Sequence, residues 1–573
     1  MTTVAELIVE ALADHGVTSV WGVVGDALNP VTDAIRREDR LEWIGVRHEE
    51  VAAFAASAQA QLTGDLAVCM GTVGPGSIHL LNGLYDAKKS HAPVLAICGQ
   101  VPLAEVGTDF FQEVDNNRLF SDVAVFAETV TSPEQMPQLL EQAVNAAIGG
   151  RGVAVLTLPG DIGGLDLPKG IVAPRFVPAA HPAAASSTAV QAAADAIGAD
   201  ANVTLLVGCG ARGAREEVLA LADALAAPMV LTIKAKEGLE HDNPYAVGQT
   251  GLIGNPAATT AMDDADVLVL VGTDFPYRDW IPSGKTVIQL DARAEHIGRR
   301  TAVTHALVGD ARATLRVLLP LLSSREPGRH LVKAQERYAE WMTAQRRLAE
   351  PGHDETLLGR LRSKADNPDE LIRPEAVAMA IDRHAGPDTI FTSDTGMSTV
   401  WLARLVPMSN NRRLIGSFNL GSMANAMPMA LGAQALDRSR QVVAFCGDGG
   451  LMMLLGDLRT AVSYNLPATF VVFNNGRLGM VKLEQEQGGL PEFGTVLDNP
   501  DLAAVGRAMG LTTRRVTDPQ DLDAAVAEAL ASTVPYLLDV VTNPDEVAVP
   551  GRTKPSQAWG FAIAKAKEHI VSA

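Results

Sequence analysis

Short apolar runs of strand length alternate with glycine-containing turns and longer stretches of helical spacing along most of this chain. That alternation predicts parallel sheets covered by helices, an α/β class of doubly wound type. In a first block, apolar runs at 19–23, 66–70, 94–98 and 153–158 predict strands, and the alanine-rich stretch 50–62, ending before Gly64, predicts a helix. A Pro/Ala/Ser-rich stretch, 174–188, lacks apolar periodicity and predicts a linker. A second block has strands predicted at 203–207, 229–233, 267–271 and 287–290, and it fades into a charged surface helix over 329–347. A third begins near Leu371, with strands predicted at 389–392, 442–445, 469–474 and 536–541. The first and third blocks share length and element order without a visible residue-level repeat. The expected domains are 1–175, 188–330 and 365–545, followed by a short tail, 546–573.

Composition narrows the partners. The chain has 573 residues, a net charge of −20 and a pI near 5.1. An acidic surface of that size argues against nucleic acid and against strong attraction to anionic lipid. A small anionic substrate can still be held locally. The first residues read as an amphipathic helix with no signal peptide, so a cytoplasmic protein is expected. No apolar run approaches the roughly 20 residues that span a bilayer. Cys69, Cys98, Cys209 and Cys446 are scattered, without zinc spacing or a disulfide framework, and read as reduced core thiols.

The sharpest chemical signal is Gly447-Asp448-Gly449-Gly450 at the end of one apolar run and Asn474-Asn475 at the end of the next. The C-terminal ends of parallel strands are where open α/β sheets bind ligands. Glycines there let a phosphate approach the backbone, and a carboxylate beside a carboxamide makes a hard-oxygen site suited to Mg²⁺. Each motif alone is also the sequence of an ordinary turn; the pair at this spacing is more specific.

The pair resembles the diphosphate-and-metal motif of the thiamine-diphosphate enzymes. That resemblance implies metal binding by Asp448, Asn475 and the carbonyl of Arg477. It also implies a glutamate in the first block that exchanges a proton with the cofactor's pyrimidine, and Arg47-His48-Glu49-Glu50 matches it with Glu49. A charged helix N-terminus is the plainer reading of the same residues. Gly421-Ser422-Met423 resembles the segment that holds the cofactor bent. Phe111-Gln112 resembles the substrate-pocket pair of acetolactate synthases and pyruvate oxidases, with Gly74-Pro75-Gly76 as a neighbouring loop. Glu49 and Asp448 lie in different blocks, and in this family such halves meet between subunits, so a homodimer or homotetramer is implied.

The middle block carries Gly208-Cys209-Gly210-Ala211-Arg212-Gly213 after a strand, but the next strand ends in Lys234-Ala235-Lys236, without the acid a nicotinamide ribose needs. The loop instead resembles the FAD-binding domain of the pyruvate oxidase and pyruvate dehydrogenase (quinone) family, within the acetolactate synthase-like superfamily. Thr250-Gly251-Leu252-Ile253-Gly254, Gly272-Thr273-Asp274-Phe275-Pro276-Tyr277-Arg278 and Asp291 match its FAD-contacting segments. The resemblance thus implies pyrimidine-binding, FAD-binding and diphosphate-binding domains in that order. It implies oxidative decarboxylation of pyruvate or a similar small 2-keto acid, with two electrons passed to FAD, acetate and CO₂ as products, and quinone or another molecule as acceptor. A carboligase of the acetolactate synthase type, with structural FAD, is the alternative. Glu484 matches a carboxylate near the reaction centre. The sequence departs from the family at Leu420, where membrane enzymes usually carry His, and at Met480, where some pyruvate oxidases carry Phe or Trp. The tail is shorter than the family's lipid-binding one, although Trp559, Ile563 and Ile570 form a short apolar stripe, so at most weak peripheral membrane contact is expected.

Overall fold

The computed structural model describes residues 2–176, 183–350, 367 and 370–545. The expected tail with its apolar stripe, and the centre of the expected linker, lie outside the described residues.

The chain builds three parallel sheets. The first contains β1 (Ser19–Gly22), β2 (Glu42–Gly45), β3 (Ala67–Gly71), β4 (Val94–Gln100), β5 (Ala124–Thr129) and β6 (Val153–Pro159), in the order β2-β1-β3-β4-β6-β5. The second contains β7 (Val203–Val207), β8 (Met229–Leu231), β9 (Val267–Val271), β10 (Thr286–Asp291) and β11 (His305–Val308), in the order β11-β10-β9-β7-β8. The third contains β12 (Ile390–Ser393), β13 (Arg413–Gly416), β14 (Val442–Gly447), β15 (Thr469–Asn474), β16 (Thr512–Val516) and β17 (Tyr536–Val541), in the order β13-β12-β14-β15-β17-β16. The first and third orders are identical strand for strand, so the kinship between those blocks lies in topology.

Central strands such as β9 (VLVLV) are buried at every position because helices cover both sheet faces. The edge strands β2, β5, β11, β13 and β16 mix polar and apolar residues and were not expected as strands. The strand expected at 229–233 stops at Leu231. Thr232 is extended (φ −75°, ψ 161°) and caps a helix, Ile233–Leu239, whose first residue had been counted with the strand. The charged helix runs from Arg329 to Leu348, with Leu331 and Ala334 buried against the middle domain.

The helix Glu49–Thr63 explains how the outer domains join. From Val51 to Ala60 every residue is buried, and a helix apolar on all sides needs neighbours on all sides. One side packs on its own sheet and the other on the helix Ala426–Leu436, so the first and third domains share a single core. The approach is close: a Cβ on Gly432 would stand 2.4 Å from the Ala55 carbonyl oxygen. Gln59, buried in this seam, donates to the Gly432 carbonyl at 3.2 Å and accepts from Ser19 Oγ and Trp21 Nε1. The middle domain is tied to the third by Glu237, which pairs with Arg212 at 2.7 Å and with Arg413, and accepts the Leu414 N–H at 2.9 Å.

Candidate active site

Two clefts open at the strand ends of the third and middle domains. The first is lined by Asp394, Met423, Asp448, Asn475, Arg477 and Glu484, with Gly421 and the glycines 447, 449 and 450 around them. Asp448 and Asn475 reach it because β14 and β15 are neighbours in register, Gly447 beside Phe473. Asp448 is buried and accepts from the backbone N–H of Gly449 (2.9 Å) and Gly476 (2.8 Å) and from Asn499 Nδ2 (2.6 Å). Burial pushes its carboxyl above the ordinary range, against the pull of those donors. Asn475 Oδ1 accepts the Arg477 N–H at 3.0 Å, and the Arg477 guanidinium pairs with Glu492 at 2.6 Å. A carboxylate, a carboxamide oxygen and nearby backbone carbonyls are the donor set Mg²⁺ favours, and nothing stands within 4 Å of where a Gly447 Cβ would be. The residues fit a metal-bound diphosphate.

Asp394, which sequence reading missed, organises this cleft. It follows β12, is 2% exposed, and accepts the Ala426 N–H at 2.9 Å and the Gly447 N–H at 3.0 Å. Burial raises its carboxyl to about 7. One side chain thereby ties the GSM-containing segment to the GDGG turn. Its signal, an acid directly after an apolar run, was available in FTSDTG.

The second cleft lies between the middle and third domains. It is lined by Thr250, Leu252, Ile253, Asp274, Phe275, Pro276 and Tyr277, with Lys234, Gln249, Cys209 and Phe418 beside them. Cys209 is thus a half-buried cleft thiol, unlike the three buried cysteines. Gln249 is 5% exposed, and its Nε2 has no hydrogen-bond partner among the described residues. An orphaned buried donor in an apolar, aromatic cleft fits a cofactor that presents acceptors, as a flavin does. The Thr250–Gly254 loop is held from the third domain, where the buried Arg404 donates to the carbonyls of Ile253 and Gly254, both at 3.3 Å. Thr395, Gly396 and Met480 line both clefts, so the two spaces share a wall.

Other expected FAD residues are not in that cleft lining. Gly208, Gly210 and Gly272 serve loop packing: Cβ atoms on Gly208 and Gly272 would stand 2.2 Å from the Gly272 oxygen and 2.7 Å from the Gly210 carbonyl carbon, respectively. Thr273 is buried and its Oγ1 accepts the Phe275 N–H. Gly251, at φ +89°, tucks beneath Phe275 and Tyr277, and Gly254 lies against Thr250. Arg278 donates to the Arg300 carbonyl, and Asp291 pairs with His296 at 3.3 Å.

The first-domain residues form their own constellation. Glu49 is buried at the start of its helix, 2.9 Å from His79 Nδ1. A Cβ on Gly76 would lie 3.3 Å from Glu49 Oε1, and one on Gly74 would lie 2.7 Å from the Gln112 carbonyl oxygen. The Gly74-Pro75-Gly76 loop therefore lies between Glu49 and Gln112. Phe111 is 77% exposed. None of Glu49, Phe111 and Gln112 is among the residues lining the Asp448 cleft. One link within the chain is Asn82 Nδ2, which donates to Glu50 Oε1 (2.7 Å) and to Ser422 Oγ (3.0 Å); another is the Arg47 N–H, which donates to Asp457 Oδ1 at 2.8 Å.

Among the described residues no helix is long and apolar enough to cross a membrane. Residues 2–119 match the family described as thiamine pyrophosphate enzyme, N-terminal TPP binding domain. Residues 190–318 match its central domain, and residues 394–540 its C-terminal TPP binding domain. The thiamine pyrophosphate-containing protein YdaP of Bacillus subtilis (strain 168) is 38% identical over 561 residues, 98% of this chain and 95% of that one. Pyruvate oxidase of Lactiplantibacillus plantarum is 31% identical over 557 residues, 94% of this chain and 88% of its own. Acetolactate synthase isozyme 2 large subunit of Escherichia coli (strain K12) is 31% identical over 547 residues, 94% of this chain and 95% of its own.

Proposed function

The chain belongs to the thiamine pyrophosphate enzyme family, and from that premise we propose that it oxidatively decarboxylates pyruvate, or a similar small 2-keto acid, with thiamine diphosphate, Mg²⁺ and FAD. The observation that carries this reading is the shared wall of Thr395, Gly396 and Met480 between the two clefts. A cofactor in the middle-domain cleft lies directly beside one at Asp448, as electron transfer between them requires.

When bound, thiamine diphosphate supplies an electron sink for loss of the substrate carboxyl, and FAD takes up an electron pair. Asp448, Asn475 and the Arg477 carbonyl hold the metal. Glu49 carries the proton shared with the pyrimidine ring, and the position of Glu49 outside the Asp448 cleft supports a homo-oligomer in which a second copy brings it there. Phe111, exposed in the single chain, would be covered by the second copy in that assembly. Met480 separates the clefts, and Glu484 lines the Asp448 cleft beside it; burial, and after it the Glu484 charge, raises the Tyr277 hydroxyl's pKa. Acetate and CO₂ are the products, formed in the cytoplasm, with a quinone or another molecule as final acceptor.

A carboligase reading has one observation in its favour: the pyruvate oxidase and acetolactate synthase relatives are equally similar, at 31%. An anaerobic visible spectrum of the protein with thiamine diphosphate, Mg²⁺ and FAD, before and after pyruvate, separates the two. Bleaching of the flavin band that is lost in Glu49→Gln is the expected result. Release of CO₂ with the flavin still oxidised, and a chiral hydroxyketo acid in the product, would establish carboligation instead.

A further inference from the structure

We propose that His79 is the positioning residue for the Glu49 carboxyl, fixing which of its two oxygens exchanges the proton. The inference rests on the role given to Glu49 above. Glu49 Oε2 lies 2.9 Å from His79 Nδ1. Nδ1 is the ring nitrogen within hydrogen-bond reach of that oxygen, and an N–H there would donate to an ionised carboxylate.

A second contact orients the ring. It stacks on His48 with centroids 4.5 Å apart and planes 22° from parallel. His48 is itself held, because it is the N-cap of the helix that Glu49 begins and its Nδ1 accepts the Glu50 N–H at 3.2 Å. Constraint therefore runs from the helix cap to the His48 ring, from that ring to His79, and from His79 to Oε2.

The other oxygen faces a different environment. Oε1 points toward Gly76, where even a methyl group would stand 3.3 Å away. A side chain at 76 would crowd Oε1, and glycine leaves that oxygen uncovered by one. His79 occupies Oε2, so Oε1 is the oxygen that gives and takes the proton. The Glu49 side chain is 10% exposed and that of His79 43%. A pair so open on one side adds little to stability. Its consequence is orientation of the buried acid.

The test reads proton transfer without turnover. The full-length holoenzyme, carrying thiamine diphosphate and Mg²⁺, is diluted into D₂O without keto acid, quenched in acid, and the thiazolium C2–H is followed by proton NMR. His79→Leu is expected to slow exchange roughly ten- to hundred-fold, the worth of one hydrogen bond to a charged group. Thiamine diphosphate affinity and circular dichroism should stay close to those of the unaltered protein. His79→Asn places an N–H where Nδ1–H stood and should restore most of the rate. Exchange in His79→Leu within about twofold of the unaltered protein, or an asparagine variant as slow as the leucine one, overturns the proposal, given that a tenfold loss corresponds to one hydrogen bond. Glu49→Gln is the separate control. If it exchanges at full rate, the role assigned to Glu49 fails, and that outcome is distinct from a failure at His79 alone.

Discussion

Adding one methyl group at Gly450 should dismantle the Asp448 cleft through Asp394. A Cβ there would stand 2.4 Å from Asp394 Oδ2, 2.9 Å from its Cγ and 3.1 Å from the Ala424 nitrogen. Gly450 does not have a left-handed backbone, so alanine adds a clash and no torsional strain. To reach ordinary contact the carboxylate must retreat by roughly an ångström, which breaks its bond to the Gly447 N–H and leaves that donor unpaired beside the GDGG turn. Overpacking costs about 1–3 kcal/mol and a lost charge-assisted hydrogen bond about 1.5–3 kcal/mol. A combined loss near 3 kcal/mol lowers the apparent Tm by about 6–12 °C for a domain of this size. Calorimetry on Gly450→Ala, Asp394→Ala and the double variant forms a cycle. With the carboxylate gone, the added methyl meets only the Ala424 nitrogen, at 3.1 Å, so it should cost much less in the Asp394→Ala background, giving a coupling above about 1.5 kcal/mol. A Gly450→Ala protein that melts with the unaltered one, or a methyl that costs the same in both backgrounds, would refute the role given to Asp394.

Two further outcomes follow from single residues. His91 is held down to about 4 by burial, with Arg293 and His296 as positive neighbours. Its folded pKa lies below the ordinary 6.5, so the unfolded chain binds more protons between about 4 and 6.5, and stability is lost as pH falls through that window. Asparagine tolerates the left-handed backbone at this position (φ 54°), so His91→Asn should flatten the Tm–pH curve there, and parallel curves would count against it. Gln249→Leu removes the orphaned donor from the middle-domain cleft. The ligand-free protein should melt no lower than the unaltered one, while FAD binding by fluorescence titration weakens about tenfold, the worth of one hydrogen bond. Unchanged FAD affinity would place the flavin elsewhere.

The strands legible in the sequence and the strands missed divide along one physical line. The strands expected from apolar runs include every interior strand of the three sheets, and those missed, β2, β5, β11, β13 and β16, all lie at sheet edges. An interior parallel strand is covered by helices on both faces and by strands on both sides, so it must be apolar throughout, as β9 is. An edge strand has one open flank and carries residues such as Thr512–Arg515, whose burial alternates or fails. Periodicity reads burial, and an edge strand is the element with least of it. The same logic explains the edge strand that was found. β8 is short but fully buried, because the Tyr245–Val247 segment lies along it.

The site was legible to the extent that a strand end exposes its chemistry as a local string. Asp448, Asn475 and Glu49 each stand beside a run that predicts where they sit, and β14 and β15 bring the first two to one cleft. What the string could not carry is the difference between a residue that meets a ligand and one that makes room for its neighbours. Gly208 and Gly210 belong to a nucleotide-binding pattern, and they and Gly272 also lack Cβ atoms where two loops pass backbone against backbone. Gly450 looks like part of a phosphate turn, yet its missing Cβ is where the Asp394 carboxylate stands. Glycine patterns record close approach without naming what approaches. The converse holds for Asp394, Gln249 and His79, which lack any recurring string because each acts on groups brought in by the fold: two backbone amides, the middle-domain cleft, and a carboxyl group. Such residues become visible only when the sheets have set the strand ends side by side, which is why the chemistry of this chain was nameable from its motifs while the groups that orient it were not.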